Sequence, residues 1–127
     1  MLFETTALFA GILGIMVSGL GFAVVVARIK ASKDTGNEAE ATLQRAIRAH
    51  GNLTEYAPMF LFILLIAENG EVHSTWLYLM GAAFVFGRLL QIVYFFIKQV
   101  FALRVLAFWA TVLPILAGAL LLFFTAI

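Results

Sequence analysis

The chain has no cysteine. That excludes disulfides, thiolate metal sites and a cysteine nucleophile, so any thiol chemistry must use a thiol that a ligand brings. Charge is nearly as scarce: 12% of the 127 residues are charged, and the net charge is +1. Soluble domains carry about 25% charged residues, and nucleic-acid binders show a basic patch or stripe. Neither class fits, and no nucleic-acid partner is expected. Only two histidines occur, His50 and His73. They fall on opposite sides of the topology derived below, so no metal is expected. No nucleotide-binding glycine loop and no Ser/His/Asp set is present.

What the chain does have is apolar sequence, with 64% of residues of hydrophobic type. Four apolar segments stand out, at 5–27, 53–67, 75–97 and 105–127. A membrane span needs about 20 residues. The first and fourth segments qualify alone, and the third qualifies with Arg88 and Gln91 inside it. The second qualifies only if the polar residues before it belong to the same helix. The start of the chain carries Glu4 where a signal peptide carries basic residues, and its apolar run is too long for one. It reads as a retained transmembrane helix. The expected fold is all-α, a single domain over 1–127, with helices near 5–28, 42–68, 75–98 and 104–127 forming an integral membrane four-helix bundle.

Basic residues orient such a bundle. Arg28, Lys30, Lys33, Arg45 and Arg48 lie in or beside the first connection, and Lys98 and Arg104 flank the third. Those are seven of the eight basic residues, and Arg88 lies within the membrane. The second connection, at 68–74, has Glu68 and Glu71 and no Lys or Arg. The first and third connections are therefore expected in the cytoplasm and both termini outside. The first connection, KASKDTGNEAEAT, reads as the one substantial loop and a candidate lid.

Polar residues inside this apolar frame are arranged in stripes. At about 100° per residue, Arg45, Arg48, Asn52 and Glu55 fall within an arc of about 80° on the second helix. Pro58 follows and is expected to kink the helix. On the third helix Arg88, Gln91, Tyr94 and Lys98 share a face. On the fourth, Arg104, Phe108 and Thr111 do. Arginines near helix ends ordinarily snorkel to headgroups, which accounts for Arg28 and Lys30. Glu55 and Arg88 are deeper, where a charge costs about 2.5–3.5 kcal/mol on insertion scales. Glu55 could clamp two helices by pairing with Arg48 or Arg88. That still leaves arginines over, and arginine suits bidentate recognition of a carboxylate. An anionic ligand is expected. A through-membrane transport path is disfavoured, because nothing comparable lines the opposite side. Gly11, Gly14, Ser18 and Gly21 form a small-residue face on the first helix, read as close packing within the bundle, with an oligomer contact as the alternative.

The second-helix motif, Arg45, Arg48-Ala49-His50, Asn52, Glu55 and Pro58, resembles the hallmark of the MAPEG family, the membrane-associated proteins in eicosanoid and glutathione metabolism. Gly87-Arg88, Arg104, Pro114 and Arg28 extend the resemblance over nearly the whole chain. It implies a homotrimer with glutathione bound as co-substrate at subunit interfaces near the cytoplasmic face. Arg48, Asn52 and Glu55 would contact glutathione, and Arg45 and Arg88 would support the site or the trimer core. Gln91 and Tyr94 join the ligand-binding set through the third-helix stripe. Arg28 and Arg104 would be the catalytic pair near the sulfur, with Arg104 stabilising the thiolate. A lipophilic small-molecule substrate could arrive from the membrane lipids. The implied activity is a glutathione transferase or peroxidase acting on lipophilic electrophiles or hydroperoxides, in detoxification. The alternative is a non-catalytic protein of the same fold that binds another anion or lipid. Gly51 stands where the mammalian enzymes often have another arginine, and Gln91, Phe95, Val105 and Phe108 depart from the prostaglandin synthase branch, which argues against eicosanoid synthesis. The pattern is similar to bacterial inner-membrane members, with periplasmic termini and a cytoplasm-facing site.

Overall fold

The computed structural model describes residues 1–34 and 36–127. Four helices follow one another: α1 (Glu4–Lys33), α2 (Asn37–Asn69), α3 (Ser74–Phe96) and α4 (Phe101–Ala126). Three of them, α1, α3 and α4, are long and apolar enough to cross a membrane. α2 has 33 residues, about 50 Å at 1.5 Å per residue, against about 30 Å of hydrocarbon. Its apolar part is only the half near its C-terminus, so its polar first half extends beyond that layer.

This corrects one expectation. The polar connection foreseen at 30–42 is mostly helix, because α1 continues to Lys33 and α2 begins at Asn37. Residues 38–41 alternate Glu38 and Glu40 with the strong helix formers Ala39 and Ala41, and the two acids in the first turn complement the positive end of the helix. Gln44 Nε2 donates to Glu40 Oε1 at 3.0 Å, and Arg45 Nη2 donates to Glu38 Oε1 at 3.1 Å. The lid expectation therefore shrinks to residues 34–36, of which Thr35 lies outside the described residues. α2 also runs through Pro58 without a break in its helical residues.

α1 packs chiefly on α2, and α3 on α4; α2 and α3 also touch each other, while α1 and α4 do not meet among the described residues. The core lies along the α2–α3 seam. Phe60 and Phe84, both fully buried, stack with ring centroids 4.1 Å apart and planes 3° from parallel. Leu13, Leu53, Leu64 and Leu77 complete it. Glycines allow close approaches between helices; at Gly118 a Cβ would fall 2.5 Å from Ile63 Cγ2. A Cβ on Gly81 would fall 2.0 Å from the Phe9 ring, and one on Gly87 would fall 2.8 Å from Thr111 Oγ1. Gly11, Gly14 and Ser18 do not pack inside the subunit: all three are exposed, and a Cβ on either glycine would meet nothing within 4 Å. Only Gly21 of that face meets another helix, at His50.

The end of the bundle that holds the N-terminus and residues 70–73 is closed by one acid. Glu68 accepts from the backbone N–H of Thr5 and of Thr6, each at 2.8 Å. These are two of the donors that the first turn of α1 would otherwise leave unpaired. Glu68 lies just past the apolar segment of α2. Partial burial alone would raise its pKa, but the Thr6 and Thr5 hydrogen bonds outweigh that and hold the carboxyl below its usual value. His73 caps α3 by accepting from Thr75 N at 3.3 Å.

Candidate functional site

A cavity of about 290 Å³ opens among α2, α3 and α4 in the half of the bundle where α3 ends and α4 begins. Its walls follow helical spacing. α2 contributes Arg48, Asn52 and Tyr56, each four residues after the last. α3 contributes Arg88, Gln91, Tyr94 and Phe95, and α4 contributes Arg104, Phe108 and Thr111. Three arginines line it, and no Asp or Glu does. Arg104 sits in the first turn of α4, which carries no acid, so the positive end of that helix adds to the same field.

Arg88 is the deepest of the three, with 3% relative exposure. It stands eight residues before the end of α3, about 12 Å along the axis. Its guanidinium carbon lies 5.3 Å from the Tyr56 ring centroid and 5.8 Å from that of Phe84, within cation–π range. Arg88 Nε donates to Thr111 Oγ1 at 3.0 Å, and Nη2 donates to the same oxygen. Thr111 in turn donates to the Ala107 carbonyl at 2.7 Å. Thr5, Arg88 and Thr111 are the buried polar or charged residues of the described chain, and two of the three meet here. The buried cation therefore has a hydroxyl and two aromatic faces for company, but no counter-charge.

The structure thus gathers Arg48, Asn52, Arg88, Gln91, Tyr94 and Arg104 around one space. Three other sequence candidates lie outside this cavity. Arg45 is tied to Glu38 and to Thr42 Oγ1 at 3.1 Å, so its charge is already met. Glu55 is exposed on α2. The described residues hold two ion pairs, Met1–Glu4 and Arg45–Glu38, so the foreseen Glu55 clamp to Arg48 or Arg88 is not formed. Arg28 is exposed on α1. Because α1 and α4 do not touch, nothing within one subunit brings Arg28 to Arg104. The physical reason for Glu55 is its place at one edge of the α2 stripe. Tyr56, four residues beyond Asn52 and about 40° from it around the helix, continues the line from Arg48 through Asn52, and that spacing could have singled it out.

A long, half-polar helix held in an apolar four-helix bundle, with three arginines lining a cavity free of acids, defines a helical membrane protein with a cation-lined cavity. Residues 6–124 match the model of the MAPEG family, and the chain belongs to that family. It is an integral membrane protein. Among curated proteins it is similar to the inner membrane protein YecN of Escherichia coli K12 and its counterpart in strain O6:H1. Each is 29% identical over 86 residues, covering 68% of this chain and 66% of the relative, just under two thirds of the relative's length. No solved structure gives a significant match.

Proposed function

We propose that the protein is a glutathione-dependent transferase or peroxidase acting on lipophilic electrophiles or hydroperoxides. One observation carries the reading: Arg48, Arg88 and Arg104 line one cavity without any carboxylate. Glutathione carries two carboxylates, and guanidinium groups bind carboxylates through paired, charge-assisted hydrogen bonds. Asn52, Gln91 and Tyr94 supply neutral donors and acceptors beside them. A guanidinium beside the sulfur lowers a thiol pKa from about 8.5 towards neutrality. The resulting thiolate is a nucleophile in a chain that has no cysteine of its own. Arg104 is the residue assigned that role. Phe101 and Phe108, exposed apolar side chains on the Arg104 side of α4, offer a surface where a lipophilic partner would approach.

The reading includes a homotrimer. Glu55, which the single subunit leaves exposed, and Arg28, remote from the cavity, are then available at a subunit boundary. Glu55 would meet the glutathione ammonium there. The relatives' inner-membrane designation and the distribution of basic residues support a bacterial inner membrane, with the cavity towards the cytoplasm and both termini in the periplasm.

A non-catalytic reading is favoured by one feature: Gln91 and Phe95 line the cavity where the prostaglandin synthase branch of the family has a histidine and a tyrosine. Calorimetry with glutathione, followed by turnover over a panel of electrophiles and hydroperoxides, separates the two. Binding with turnover supports the enzyme. Binding without any turnover selects the non-catalytic protein, and no binding removes glutathione altogether.

A further inference from the structure

We propose that Thr111 is a positioning residue, holding Arg88 as a fixed fork whose free edge takes the oxyanion end of the ligand at the floor of the cavity. The inference rests on the reading of this cavity as an anion site. It starts from the hydroxyl's own valence. A threonine hydroxyl has one hydrogen and two lone pairs. The hydrogen goes to the Ala107 carbonyl at 2.7 Å, one turn back along α4, which leaves only lone pairs for Arg88. Both Nε and Nη2 of Arg88 use them.

A guanidinium has five N–H donors in one plane. With one edge tied to Thr111 and the Tyr56 and Phe84 rings within cation–π range, the group is held in the bundle and does not swing to a headgroup as an ordinary membrane arginine does. Its remaining donors have no protein carboxylate to meet, because none lines the cavity. Gly87 is part of the device. A side chain there would fall 2.8 Å from Thr111 Oγ1 and 3.0 Å from Ala110, so the glycine lets α4 come close enough for the hydroxyl to reach its neighbour's guanidinium. The ligand class follows: a carboxylate, or a sulfate or phosphate, which offer the same planar pair of acceptor oxygens.

The test uses the full chain purified in detergent, as wild type, Thr111→Ser and Thr111→Val. Two ligands are titrated separately, glutathione and inorganic sulfate, with calorimetric affinity and ligand-induced shift of the thermal midpoint as readouts. Thr111→Val keeps the shape and removes the hydroxyl. It is expected to weaken both ligands on the order of tenfold, the scale of one hydrogen bond to a charged group. Thr111→Ser is expected to stay within about twofold of wild type, since it keeps the lone pairs. A valine variant that melts lower without ligand but binds both ligands as wild type does would overturn the proposal, leaving Thr111 a packing residue. So would a serine variant as weak as valine. Sulfate binding that depends on Thr111, with no glutathione binding at all, would retain the positioning role and discard the glutathione reading. Glutathione binding indifferent to Thr111 would do the reverse. Absence of binding by either ligand in wild type contradicts both.

Discussion

The two ends of the bundle treat ionised groups in opposite ways. At one end Glu68 is an acid with its partners supplied: two backbone N–H groups of α1 meet its two oxygens. At the other, Arg48, Arg88 and Arg104 surround an open space with no acid among its lining residues. The first arrangement closes a helix terminus and is complete in itself. The second leaves a buried guanidinium with donors to spare, in a setting where an uncompensated charge is costly. Charge at the first end serves the fold, and on the proposed reading charge at the second serves a ligand.

Substitutions sharpen this contrast, and the largest effect belongs to the cavity. Replacing Arg88 with Gln removes the buried cation that the ligand's oxyanion would meet. The expected loss is about 2–5 kcal/mol of glutathione binding, the usual cost of truncating one partner of a buried charge pair, read by calorimetry. Wild-type affinity in this variant would make Arg88 a structural residue only. Next comes Glu68→Ala, which removes a helix-end acceptor and should lower unfolding stability by about 1 kcal/mol while leaving glutathione affinity unchanged. Loss of binding there would break the separation between the two ends.

The same acid gives a pH dependence. Its carboxyl is held below the usual value in the fold, so its contribution is fully present above the unfolded-state pKa of about 4.3. It is lost as pH falls through the lower folded value. Melting curves of wild type should therefore drop towards those of Glu68→Ala in acid, and parallel curves at every pH would contradict this. The smallest effect is expected for Glu38→Ala. The Arg45–Glu38 pair is largely exposed, and such pairs contribute little, so neither melting nor binding should change measurably. A clear loss of binding would return Arg45 to the site.

Much of this was legible in the residues themselves. Four helices followed from the apolar segments, and helical spacing alone put Arg48 with Asn52 and Arg104 with Thr111. The start of α2 was misjudged because residues 30–42 read as one polar connection. Polarity marks exposure, whereas Glu38 and Glu40 in a first turn mark a helix. The Arg45–Glu38 pair was hidden for the same reason, since it exists only once that turn is helical. The clamp open to Glu55 is not formed within the subunit, because a stripe about 80° wide has edges. A residue at one edge can face away from the neighbour that its companions face. What no periodicity could show is that Arg88 meets Thr111, because that contact depends on how closely α4 approaches Gly87.

The most direct test of the arginine cavity as a thiol-activating site is a thiolate absorbance titration. Glutathione is added to the purified wild-type protein and to Arg104→Ala at neutral pH. The expected result is a saturable thiolate signal in wild type that falls in Arg104→Ala to the level of glutathione free in solution, while calorimetry still detects glutathione bound. Equal thiolate signals in the two proteins, or none in wild type despite binding, would contradict it.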